Sequence, residues 1–279
     1  MKFKITNEKP ISELPEGFYY IGQDNYYIVN LNAPNSKYPE KYLYSDSATS
    51  CIIVVVEGKD ADNNPIVALS HLSRPERFEA FFEIVAKNFS GAVSIFAQGA
   101  NPPFPAYKSG EYTYTSLINS QIVINWVNKN IYVPQNNGSV PTWYIEQCTF
   151  SIGLGDPQQD DRGCYGIDLE TMTVSNQRFI LTDEQRDPTG GVQTLFCVFG
   201  LQIGSQKIVL HKADEDFTFN QIKLLVLKAK ENNWTDILYM TKDEVLNKYS
   251  STPKYEAPWF FATMRQSAEY VKNYSQWGE

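Results

Sequence analysis

Between Cys51 and His71, two short runs of β-branched residues, CIIVVVE and PIVALSH, flank the polar stretch GKDADNN. Runs of this length bounded by Gly, Asp and Asn predict strands over Cys51 to Glu57 and Pro65 to His71, joined as an antiparallel hairpin. After His71, the residues Phe78, Phe81, Phe82, Val85 and Phe89 recur at helical spacing between Pro75 and Gly91. An amphipathic helix should lay this aromatic stripe on the sheet. A strand over Ala92 to Ala97 follows, then the loop PPFPAY, a helix over Thr115 to Lys129, a short strand over Ile131 to Val133 and a longer one over Trp143 to Leu154. Gly163 to Val174 reads as strand, turn near Glu170 and Thr171, and strand. Upstream, residues 1–16 read as a polar arm and Phe18 to Leu31 as a second hairpin around GQDN. Downstream, Val192 to Ile203 and Gln206 to His211 read as a third hairpin around Gly204 and Ser205, Asn220 to Glu231 as a helix, and Pro253 to Glu279 as an aromatic-rich terminal helix or docking segment.

Strand alternation gives the first hairpin a chemical reading. Centred on Ala61, it sets Cys51 opposite His71, Ile53 opposite Leu69 and Val55 opposite Val67, so thiol and imidazole share one face. At the roughly 5 Å separation of directly opposed Cβ atoms, a His can take the thiol proton and release a thiolate nucleophile. On this reading the Cys51 thiol is expected to titrate below its ordinary value. The competing reading is structural, with Cys51 a small buried apolar residue and His71 a strand terminus; a one-residue slip would part them. The other Cys/His pair, Cys197 and His211, falls on opposite faces of its hairpin and is the weaker rival.

Composition narrows the function classes. The 279 residues carry 42% hydrophobic, 20% charged and 14% aromatic side chains, the signature of a folded chain. A net charge of -8 without a Lys/Arg-rich block argues against nucleic acid as a partner. No apolar run approaches the ~18 residues of a membrane span, and the polar N-terminus carries no apolar core of a cleaved secretory signal. Synthesis in the cytoplasm is therefore expected. The four cysteines form no CxxC pair and only two histidines are present, so no metal site is expected. Asp156, Asp160 and Asp161 share a charged loop, but their spacing fits no EF-hand.

Four collinear pieces resemble one family, the CheD-type protein-glutamine deamidases of bacterial chemotaxis. Ala48-Thr49-Ser50-Cys51 resembles the LGSC nucleophile segment, and His71 with Pro75 resembles its H-x-x-x-P segment. Phe96-Ala97-Gln98-Gly99-Ala100-Asn101 is similar to the FGGAN stretch; Arg162-Gly163 and Asp168-Leu169-Glu170-Thr171 are similar to the late G-R and F-D-x-x-T-G turn. Thr49, Gln98 and Met172 stand where the family has Gly, and Ser45 stands where it has a Thr six residues before the nucleophile. The resemblance covers about residues 35 to 180. It implies an α/β fold, a layered sandwich whose mixed or antiparallel β-core is covered by helices, with residues 1–184 as a CheD-like domain and 185–279 as an extension packed on it. It further implies a cofactor-free hydrolase that deamidates a reactive glutamine on a protein substrate, with Cys51 as nucleophile, His71 as base and Ser45 orienting the base or bonding the amide. Related Cys/His cores occur in bacterial toxins that deamidate host proteins, so an effector delivered into a host cell is an implied destination. The alternatives are a non-catalytic binding module that keeps the fold and another cysteine hydrolase, an amidase or protease.

Overall fold

A computed structural model describes residues 2–6, 8–33, 39–100, 113–132, 141–152, 163–201 and 209–274. Asn101 and the PPFPAY loop, Val133, Leu154, the charged loop with Arg162, the Gly204-Ser205 turn and the last five residues lie outside them.

Two mixed sheets and a set of helices form an α/β layered architecture. The strands are β1 (Lys2–Lys4), β2 (Phe18–Tyr20), β3 (Asn25–Asn30), β4 (Tyr42–Ser45), β5 (Ile52–Lys59), β6 (Pro65–Leu72), β7 (Ser90–Gly99), β8 (Trp143–Ile152), β9 (Tyr165–Asp168), β10 (Thr173–Ser175) and β11 (His211–Lys212). The helices are α1 (Pro75–Asn88), α2 (Thr113–Asn130), α3 (Asp183–Arg186), α4 (Val192–Phe199), α5 (Phe219–Glu231), α6 (Lys242–Tyr249) and α7 (Phe260–Tyr274). The larger sheet runs β11-β3-β6-β5-β7-β8 and the smaller β1-β10-β9-β4-β2.

Side-chain alternation along β5 explains the layering. Ile52, Val54 and Val56 pack with Phe78, Phe81, Phe82 and Val85 of α1 and Val123 and Val127 of α2. The opposite face, with Cys51, Ile53 and Val55, packs on Leu43, Tyr165, Ile167 and Val174 of the smaller sheet. A strand buried on both faces reads as a continuous apolar run, which is what CIIVVVE is. The aromatic stripe of α1 is core as expected, with all five residues buried.

Some secondary-structure expectations are corrected. Phe18 to Leu31 is no hairpin: β2 lies parallel to β4 in the smaller sheet, while β3 pairs with β6 in the larger one. The polar N-terminal arm, mostly exposed where described, also carries β1, which adds a parallel edge to β10, and Ile11, which bridges Phe179. Val192–Phe199 is helix α4, bounded by Gly191 at φ 120° and Gly200, and not a strand. The short apolar run Leu195 to Phe199 satisfies both periodicities, and here the flanking glycines decide. With α4 in place of a strand, the opposed faces assigned to Cys197 and His211 lose their basis; His211 instead starts β11, parallel to β3. Ile131 makes only a bridge to Ile145.

Residues beyond α3 build their own apolar cluster around Leu195, Phe196, Trp234 and Val271. They join the sheets through a buried ion pair: Arg77 Nε lies 3.6 Å from Asp24 Oδ2, with both side chains inaccessible. Arg77 also donates to the carbonyls of Val209 and Phe196 and sits 4.9 Å over the Phe196 ring. Asp24 accepts from the Ser73 amide and hydroxyl, and its own N–H and C=O bond to the His71 carbonyl and the His211 amide.

Removing one partner of such a pair leaves an uncompensated buried charge, at a cost of roughly 3–5 kcal/mol. Arg77→Ala should lose stability on that scale in urea melts, and Asp24→Asn combined with Arg77→Met should recover most of it. Equal losses in the two variants would show that an unpaired buried charge is not the source of the loss.

Candidate functional site

The β5/β6 register is shifted by two residues from expectation. Ile53, not Cys51, faces His71, and Ile52 faces Leu72. The shift comes from the turn, where Asp60 caps the tip by accepting from the amides of Asp62 and Asn64 and from the Asn64 side chain, so that Lys59 faces Pro65. A shift of two preserves the face. Cys51 continues the β5 ladder, its carbonyl accepting from Ala100 N at 2.7 Å, so Cys51 and His71 are diagonal neighbours on the face turned to the smaller sheet. Diagonal side chains are still within mutual reach when one of them is long or aromatic.

Both line a cleft of about 420 Å³. Its floor is fixed from several directions. Asn119 of α2, fully buried, donates to the carbonyls of Ser50 at 2.8 Å and Ser73 at 3.0 Å, clamping the open end of the hairpin. Gly99 has φ 133°, and a Cβ there would stand 2.2 Å from the Cys51 carbonyl oxygen, so only glycine lets β7 close on the Cys51 segment. Gly163, at φ 58°, is held as tightly against Ala48. Described members of three of the four motif-like pieces, Ala48 and Cys51, Gly99, and Gly163, thus meet at one loop. Met172, in the place of a family glycine, adopts φ 52°. Gln98 lies in a cross-strand row with Ile53 and His71.

Ser45 ends β4 in the smaller sheet, and its hydroxyl lies 2.9 Å from His71 Nδ1 and donates to the Ile21 carbonyl at 2.6 Å. Because the hydroxyl proton is committed to Ile21, Ser45 Oγ accepts and Nδ1 carries the ring proton. Nε2 is then the basic nitrogen; it is buried and has no hydrogen-bond partner among the described residues. Burial holds His71 down to about 3 and pushes the Cys51 thiol well up, with the Asp24 and Glu256 carboxylates adding to the latter. The expected depression of the Cys51 thiol is therefore corrected. With 6% and 2% of their surfaces exposed, Cys51 and His71 rest as a neutral thiol and a neutral imidazole.

The far wall of the cleft comes from the C-terminal third. Arg186 is ion-paired with Asp46, next to Ser45, and lies 3.7 Å over the Trp259 ring; Tyr20 donates to the same Asp46 at 3.0 Å. Ser251 meets Ser50 at 3.0 Å. Asp187 and Glu256 face the same space, as does Cys197, whose thiol donates to the Gln23 carbonyl at 3.1 Å and is pushed up by burial. Of these far-wall residues only Cys197 carried a sequence signal; Arg186 and Asp187 sit in the polar run DEQRD, and Arg186 meets a partner 140 positions away. Among the described residues no cluster of His, Cys, Asp and Glu is arranged to hold a metal ion, and no helix is long and apolar enough to cross a membrane. Compared with protein-family models and with curated proteins, the chain matches none.

His71 should remain the neutral Nδ1–H tautomer from pH 8 down to about pH 4.5, since its folded value lies near 3 against about 6.5 in the unfolded chain. Long-range proton–nitrogen NMR spectra read this directly; a titration centred near pH 6.5 would contradict it. The sign of the linkage follows. The unfolded chain binds the extra proton below pH 6.5, so this group's contribution to stability is intact above that value and is lost as the pH falls toward 3.

Proposed function

We propose that the protein is a cysteine hydrolase that deamidates a glutamine side chain on a target protein, with a CheD-like fold. The observation that carries this reading is the hydrogen bond between Ser45 and His71, which leaves Nε2 of a residue lining the Cys51 cleft unprotonated and without a partner among the described residues. A structural histidine would have little reason to leave that nitrogen unsatisfied, because a buried polar atom without a partner costs about 1–3 kcal/mol. The helix–sheet–sheet layering and the convergence of the motif-like pieces on the Cys51 loop support the same reading.

Neutral partners set the order of events. The Cys51 proton moves to His71 Nε2 as sulfur bonds to the amide carbon, since a free thiolate in so buried a place is costly. Backbone N–H groups beside Cys51 stabilise the oxyanion. His71 returns the proton to the nitrogen as the C–N bond breaks, releasing ammonia and a thioester. Water then attacks the thioester, giving its proton to His71, and the C–S bond breaks to yield glutamate with the thiol reprotonated. Ser45 holds the ring in the required tautomer throughout. The C-terminal third supplies the wall that distinguishes this cleft from a bare dyad and favours a role as an effector over routine receptor modification.

Mass spectrometry of bacterial chemoreceptors and of host-cell proteins incubated with the wild type and with Cys51→Ala tests the proposal. Glutamine-to-glutamate conversion should occur with the wild type alone. His71→Ala should lower the rate by about 10²–10⁴ and Ser45→Ala by roughly tenfold, the worth of one hydrogen bond. The near-complete burial of Cys51 favours a second reading, a non-catalytic binding module; capture of a protein that leaves with unchanged glutamines would establish it.

A further inference from the structure

Resting on the reading of Cys51 as a nucleophile, we infer that Asp187 is the residue that selects the substrate: its Oδ2 accepts an N–H of a primary carboxamide held in the cleft, favouring –CONH2 over –COO⁻ and over a substituted amide.

The case stands on geometry. Asp187 follows α3 and faces the same cleft as Cys51 and His71. It is 4% exposed, and its two oxygens have different fates. Oδ1 accepts from the amide of Thr189 at 3.0 Å and from its hydroxyl, which holds the turn leading into α4. Oδ2 is buried without a hydrogen-bond partner among the described residues. Asp46, the neighbouring carboxylate, is committed to Arg186 and Tyr20, and Glu256 to the Ser250 and Thr252 hydroxyls. A buried carboxylate oxygen without a hydrogen bond of its own has capacity left for an N–H or O–H donor; burial pushes the Asp187 carboxyl up, while the backbone N–H groups of Thr189, Thr194 and Gly191 and the Thr189 hydroxyl hold it partly down. The reaction brings one suitable donor, the NH2 of the amide, and takes it away as ammonia. The product carboxylate then faces a like charge, which drives release. A peptide-bond nitrogen carries one N–H where a primary amide carries two, so the same acceptor favours deamidation over proteolysis.

Iodoacetamide and iodoacetate test this without knowledge of the target, because they differ only in carrying –CONH2 or –COO⁻. Exposed Cys148 provides an internal reference for their intrinsic reactivity ratio. In the wild type, peptide mapping should show a preference for iodoacetamide at Cys51 that exceeds the Cys148 ratio by about tenfold, the scale of one hydrogen bond. Asp187→Asn keeps an oxygen for Thr189 and places an N–H donor where Oδ2 was, so its preference should fall by at least that factor, with iodoacetamide slowed. Removal of a nearby negative charge alone would ease thiolate formation and accelerate both reagents, so the sign separates the two causes. A wild-type ratio at Cys51 equal to that at Cys148, or an Asp187→Asn variant that reacts with iodoacetamide as fast as the wild type or faster, would overturn the inference. The first of these needs no variant and holds even if Asp187→Asn fails to fold. If Cys51 resists both reagents while Cys148 is labelled, the nucleophile reading fails and takes this inference with it; if Cys51 is labelled without selectivity, only the inference fails.

Discussion

The buried pair of Asp24 and Arg77 is the constraint on which the cleft depends. Asp24 reaches the end of β6 through the His71 carbonyl and Ser73, and the start of β11 through the His211 amide. Arg77 reaches the C-terminal cluster through the carbonyls of Phe196 and Val209. Two desolvated charges gain little net stability from each other, but they tolerate no rearrangement that parts them. The position of His71 and the position of the far wall are therefore set by one junction.

Against that frame of fixed backbone, the Ser45–His71 bond crosses from the smaller sheet to the larger. Its effect is chemical as well as structural: the hydroxyl that spends its proton on Ile21 leaves the imidazole no choice of tautomer. The site follows the logic of a buried neutral dyad and not of a preformed thiolate-imidazolium pair. On the proposed reading, such a site reacts slowly with electrophiles that the cleft does not hold, and acts when a bound one makes proton transfer and attack coincide. The glutamine proposed as substrate would need both, since an amide requires a nucleophile and a proton for its departing nitrogen.

Much of the sheet core was legible because burial on both faces leaves a plain trace. CIIVVVE and PIVALSH, the aromatic stripe of α1 and the turn at Glu170 and Thr171 each satisfy a single periodicity or turn chemistry. Cys51, His71 and Ser45 were legible for a different reason, the strand parity and the collinear motif-like pieces. The exact register was not, because the Asp60 cap, a side-chain effect, chose between two pairings of equal parity. Val192–Phe199 was misread because so short an apolar run as Leu195 to Phe199 fits helix and strand alike. Pairings that join distant segments, Arg186 with Asp46 or Asp24 with Arg77, leave no local pattern at all. The direction of the Cys51 shift also lay beyond the sequence, since the burial of the thiol is set by residues from four parts of the chain.

The most direct measurement is interception of the covalent intermediate. A protein whose glutamine is converted should, in the presence of hydroxylamine, divert the Cys51 thioester to a glutamyl hydroxamate at that same residue, with ammonia released at the first step and Cys51→Ala forming neither. Ammonia release that persists in Cys51→Ala, or conversion of glutamine with no hydroxamate at any hydroxylamine concentration, would contradict the account.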